Sequence, residues 1–329
     1  MSNEPEKTLD PDSSEESQHP VNTEDDSSRA IPPAIEASDF GGSGDAPLFL
    51  EFPKPPVAPP PQRVPNFGHL GILLLVALCG LFGAASLAQV ALHFHLFGVK
   101  TIAQAATEIH YTLGTEGVFY ILTFIGCLGV FPIVWHKGLL EGIHWQGSAA
   151  VRRSRYLISA AVACFALALV NGMLMPGPTN APIDKIFRMP GAAWMLFAFG
   201  VTLAPFFEEL GFRGFLLPAL CTAFDWLHEK TSGEPPRPLD EDGHPQWSIT
   251  AMVIASILTS LLFAAIHADQ TGYSLGPFLL LVCVSLVLCW ARLSTRSLAA
   301  SVLVHACYNF LLFSLMFLGT SGFRHLDRM

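Results

Sequence analysis

Residues 191–220 read GAAWMLFAFGVTLAPFFEELGFRGFLLPAL. The stretch is apolar enough to lie in a bilayer, yet it holds Glu208, Glu209 and Arg213. A charged side chain near the bilayer centre costs roughly 2.5–3.5 kcal/mol on insertion scales. These three charges therefore need partners or a task. The stretch is also too long for one simple span. Pro205 predicts a kink in it, and Pro218 predicts its emergence from the membrane.

Working outward, further apolar segments cover about 68–92, 116–135, 156–175, 248–267, 276–292 and 297–318. The fold class expected is all-α: a polytopic transmembrane helix bundle of about seven spans, with its helical domain over 67–322. The segment at 276–292 is short between its polar borders and reads as partly re-entrant. The connection 221–247 is the longest inside the membrane body, and 232–243 within it reads as a hydrated, flexible loop.

Loop charge predicts orientation. One side would carry Lys54, Arg63, Lys137, Arg152, Arg153, Arg155, Lys230, Arg237, Arg292 and Arg296. The other would carry Lys100, Lys185, Arg188, Arg324 and Arg328. The excess favours a cytoplasmic N-terminus, with the plasma membrane as the expected location.

The net charge of −9 comes from one end of the chain. Residues 1–66 hold 13 acidic and 4 basic side chains, and the remainder is balanced. This tail is rich in Pro, Ser, Asp and Glu, which cannot bury enough apolar surface to offset chain entropy, so it reads as disordered. Pro53–Pro61 favours a polyproline II spacer. A solvated leader is the simpler reading of the tail and a docking element for an unknown partner the alternative. No nucleic-acid partner is expected.

Helix geometry sorts the opening charges. Arg213 follows Glu209 by four residues, in the favourable order for an ion pair. Glu208 projects about 100° away and has no cation of its own nearby. Two more apolar helices carry polar groups. Phe263-Ala-Ala-Ile-His267 closes one, and His305-Ala-Cys-Tyr-Asn309 lies inside another, with His305 and Asn309 on one face. Either histidine alone is more simply a hydrogen-bonded core residue. Together with the glutamates, these groups are satisfied most cheaply by converging on one cavity.

Glu208-Glu209-x-x-x-Arg213, Phe263-x-x-x-His267 and His305-x-x-x-Asn309, in that order and each in an apolar helix, resemble the three-motif signature of the CPBP family. That family comprises the CAAX-type prenyl endopeptidases and bacteriocin-processing intramembrane proteases (the Abi or type II CAAX group). The resemblance covers about 190–318. It implies an intramembrane endopeptidase acting on a membrane peptide or a protein, prenylated or not. Glu208 would act as general base towards water, with His267 holding that water. His305 and Asn309 would form the oxyanion hole. Glu209, Arg213 and Phe263 would support the site.

The resemblance also raises metal. No HExxH helix is present, so no cofactor is favoured; a metal-dependent version would use Glu208, His267 and His305 to hold zinc. His136, Glu141 and His144 offer one Glu-x-x-His step in a loop, without the second motif that a di-metal site requires. Glu108, His110 and Glu116 read as interfacial. Against the protease stand a proton-coupled transporter using the Glu/His groups as a relay, and a catalytically silent membrane scaffold.

Overall fold

Asn66 starts the first membrane helix. Its side chain accepts from the backbone of Gly68 and His69, and the His69 ring accepts from the Asn66 backbone N–H in return. The computed structural model describes residues 63–175, 182–187, 189, 191–240 and 243–324. The expectations for the tail up to residue 62 lie outside the described residues.

Helix α1 is Phe67–His93, α2 is Ile109–Trp135 and α3 is Ser154–Leu174. The stretch quoted above becomes a broken helix. Its parts are α4, Ala192–Val201; α5, Leu203–Glu209; a π-helical segment, Leu210–Leu216; and α6, Leu217–Ser232. Then follow α7, Ile249–Ile266; α8, Leu275–Thr295; and α9, Leu298–Gly319. Short helices at Leu139–Gly142 and Gly147–Arg152 join α2 to α3.

Among the described residues, six helices are long and apolar enough to cross a membrane, and counting the bent α4–α6 unit as one span gives seven. The chain is an all-helical, integral membrane protein. Large apolar side chains such as Leu74, Leu75, Phe82, Ile125 and Ile257 face outward, as lipid contact requires. Lipid supplies little hydrophobic drive between helices, so close packing of small residues matters more. At the α1–α2 contact, a Cβ on Gly80 would stand 2.6 Å from Thr123 Oγ1, so only glycine allows this approach.

The kink expected at Pro205 is present as a 41° bend between α4 and the continuous unit that follows. It falls at Thr202 because Pro205 has no N–H to give the Val201 carbonyl, one turn back.

Two expectations are corrected. The segment at 276–292 is not re-entrant: it is the middle of a helix that runs from Leu275 to Thr295. Its polar border was misleading because Arg292 is buried inside the last turn rather than exposed in a loop. For the same reason Arg292 does not count as loop charge. Pro218, expected to mark emergence from the membrane, does not interrupt its helix. It sits in the first turn of α6, where a missing N–H is tolerated, and the helix continues to Ser232.

The connection 221–247 is accordingly half helix. Its polar residues are anchors as much as loop. Buried Asp225 accepts from the Ser248 backbone N–H at 3.0 Å and the Ser248 hydroxyl at 2.5 Å, tying α6 to the start of α7. Glu229 takes the Arg63 guanidinium at 2.6 Å and the Arg237 N–H at 3.0 Å.

Candidate active site

Four elements bring the polar motifs together. Glu208 and Glu209 end α5, Arg213 lies in the π-helical segment, His267 caps α7 and His305 lies in α9. A π turn spaces its hydrogen bonds i→i+5 and is frequently found at functional sites. Here it holds Arg213 beneath Glu209 with both side chains fully buried.

The Arg213 guanidinium is enclosed. Nη1 donates to Glu209 Oε1 at 2.8 Å, and Nη2 donates to the Ser285 hydroxyl at 2.5 Å and the Ser285 carbonyl at 3.2 Å. The Phe263 ring lies below it, 4.8 Å from ring centroid to guanidinium carbon, a cation–π contact. Phe263 thus touches the arginine rather than Glu208. Glu209 Oε1 also accepts from His305 Nδ1 at 3.0 Å, while Glu209 Oε2 has no hydrogen-bond partner.

Glu208 differs from its neighbour. Its side chain is 20% exposed, and its Oε2 stands 3.8 Å from Nε2 of His267 and 3.8 Å from Nε2 of His305. Both distances exceed a direct hydrogen bond. The remaining ring nitrogens fix the tautomers. His267 Nδ1 faces the Phe263 carbonyl at 2.7 Å, and His305 Nδ1 faces Glu209. Both partners are acceptors, so each Nδ1 carries a hydrogen. Each Nε2 therefore presents to Glu208 either a lone pair or, in the protonated ring, an N–H.

Asn309 is placed differently from the other motif residues. Its amide donates to the Gly200 carbonyl at 2.7 Å, linking α9 to α4.

Residues 190–311 match the family model described as Type II CAAX prenyl endopeptidase Rce1-like. This segment is similar to the CAAX/CPBP family. The match contains all three sequence motifs and, with the apolar helices, supports an integral membrane endopeptidase of the CAAX type acting on a protein or peptide. No curated protein and no solved structure matches the chain.

Does this CAAX-type core fit a metal? Among the described residues, no three His, Cys, Asp or Glu side chains form a group that could hold one. The nearest set is Glu208, His267 and His305. Its second contacts, Nδ1 to carbonyl and Nδ1 to carboxylate, are of the kind metal ligands use. It is nevertheless not among the groups arranged to hold an ion. As placed, the set does not fit the ion.

Two contributors to the core went unread in the sequence. Ser285 is a lone hydroxyl in apolar α8, and only the fold shows that it meets Arg213. From α2, Tyr120 stacks on Phe207 at 4.6 Å between ring centroids and donates to Glu116 at 3.0 Å. The i,i+4 spacing of Glu116 and Tyr120 in a predicted span was the available signal.

Proposed function

We propose that this CAAX-type protease cleaves its peptide bond with Glu208 as general base. The setting of Glu208 carries the reading: a partly exposed carboxylate facing two imidazoles, beside a second carboxylate already engaged by Arg213. A water resting against Glu208 Oε2 and His267 Nε2 gives a proton to Glu208 as its oxygen attacks the scissile carbonyl carbon. The carbonyl oxygen becomes an oxyanion. His305, protonated with Glu209 supporting its Nδ1 side, donates from Nε2 to that oxyanion, and Asn309 donates the amide hydrogen that Gly200 does not use. Glu208 then returns the proton to the leaving nitrogen as the C–N bond breaks, releasing a carboxylate and an amine. Glu209, Arg213, Ser285 and Phe263 hold the carboxylate and His305 in place without touching substrate.

The test is cleavage by the purified full-length chain in detergent. Substrates are a peptide library in prenylated and unprenylated forms, with and without chelator. The expected result is chelator-insensitive cleavage that Glu208→Gln abolishes while the helical circular dichroism signal and melting midpoint stay put. Wild-type turnover by Glu208→Gln would sink the assignment. Cleavage stopped by chelator and restored by zinc would replace the glutamate-only scheme with a metal-dependent one. The two substrate forms show whether a prenyl group is required.

A further inference from the structure

A second polar centre lies at the opposite end of α8 from its N-terminus, among the loops. A cavity of about 250 Å³ opens there, lined by Arg292, Arg296, His144, His244 and Trp247 among others. Arg292 is only 2% exposed, and His144 only 3%. Among the described residues, no carboxylate lies within ion-pair distance of Arg292. Its partners are the Arg213 carbonyl, which takes Nε–H at 3.2 Å, and His144 Nδ1, which takes Nη2–H at 3.2 Å. A guanidinium buried without a counter-charge is costly, and the cost falls when an anion binds beside it.

The neighbours favour the same class of ligand. Arginine only donates, so His144 Nδ1 must be bare and Nε2 must carry the hydrogen. That Nε2 is buried and has no hydrogen-bond partner. Burial first, and then the charge of Arg292, push the His144 pKa down to about 2, so the ring stays neutral. Arg296 stands at the mouth, more than half exposed and paired with Asp240, which also faces His244 at 3.5 Å. His144 and Arg296 both hold left-handed backbone conformations, with φ of 57° and 55°. Such strain at non-glycine residues persists only when the surroundings enforce it.

We propose that this cavity is an oxyanion site that takes a phosphate group, carried by a lipid headgroup or free in solution. Arginine presents a planar fork of donors suited to phosphate oxygens. Basic pockets between transmembrane helices at a loop end are where headgroup phosphates bind. The cavity is several times the ~30 Å³ that one water occupies in the liquid, so a phosphate enters with hydration or with its glycerol. Arg292 reaches from the cavity to the carbonyl of Arg213, so an occupant is one residue away from the active-site scaffold.

The experiment uses the full-length chain in a neutral detergent and in lipid nanodiscs. Thermal unfolding is followed while inorganic phosphate replaces chloride at constant ionic strength. In parallel, phosphatidylcholine discs are compared with discs that also contain phosphatidylglycerol. A binder of the folded state raises the midpoint saturably. The expected result is such a rise in at least one arm, with apparent affinity at least tenfold weaker in Arg296→Gln and His244→Gln. A rise with inorganic phosphate identifies the free ion, and a rise only in phosphatidylglycerol discs identifies the headgroup. Arg292→Gln is the stricter variant, and the two rim variants keep the test open should it not fold. No rise in either arm, or rises indifferent to all variants, overturns the proposal. The readout is binding, so this outcome leaves the protease reading untouched.

Discussion

Arg213 and Arg292 are both buried arginines of the same core, and they are treated in opposite ways. Arg213 has a carboxylate, a hydroxyl, a carbonyl and an aromatic ring around it. Arg292 has a carbonyl and a neutral imidazole. One centre is electrically closed, and the other is left open. A closed guanidinium is architecture, because its interactions are already spent on Glu209 and Ser285. An open one still has interactions to offer a ligand. The same contrast separates the two glutamates: Glu209 is enclosed with Arg213, while Glu208 faces outward to two imidazoles.

The sharpest way to test that contrast is at Glu208. Glu208→Gln should lower turnover by about 10²–10⁴-fold, the usual weight of a general base, with little change in melting midpoint, in a detergent cleavage assay. Closing residues should behave the other way round. Arg213→Met leaves the buried Glu209 carboxylate without its guanidinium and with only the His305 ring as partner, which should destabilise by about 3–5 kcal/mol. Glu209→Gln combined with Arg213→Met should recover much of that loss in chemical denaturation, because neither charge is then stranded. Arg292→Met strands no carboxylate. It should cost less, about 1–3 kcal/mol, from the carbonyl of Arg213 and the ring of His144 losing their donor. An Arg292→Met loss as large as that of Arg213→Met would erase the distinction.

The smallest effect is in pH. The folded His144 pKa lies far below that of the unfolded ring, about 6.5. The unfolded chain therefore binds the extra proton first as pH falls. Stability from the neutral ring is fully present above about pH 6.5 and declines below it, by up to about 1.4 kcal/mol per pH unit. Denaturation midpoints between pH 7 and pH 5 should fall more steeply in the wild type than in His144→Gln.

Much of this was legible in the chain. The apolar runs gave most of the spans to within a few residues, since a helix in lipid must be apolar along most of its length, though α2 starts at Ile109 rather than about 116 and α6 runs on to Ser232. The exception at 292–295 arose because a buried arginine looks identical to a loop arginine in one dimension. The i,i+4 rule paired Glu209 with Arg213 in advance, and the motif order brought His267 and His305 towards Glu208. Ser285, the stacking of Tyr120 on Phe207 and the Arg292–His144 contact were not legible, because each depends on which helix faces which. Nor was the bond from Asn309 to Gly200: helical periodicity gives the face of α9 but not its neighbour.

The π segment carries one more implication, and it concerns phase. In a π turn the Arg213 carbonyl would receive the N–H five residues ahead, but that residue is Pro218 and has none. The Arg292 side chain fills the position instead. The backbone thus leaves its regular ladder here with a side chain as the splint. A helix rotates about 100° per residue. Removing one residue between 210 and 216 would turn all of α6 by that angle against α5. Asp225 would swing away from Ser248, and Glu229 from Arg63, while Glu208 stayed where it is. The π turn is therefore what lets one continuous rod aim a carboxylate into the membrane site and, further along, two others at the loops.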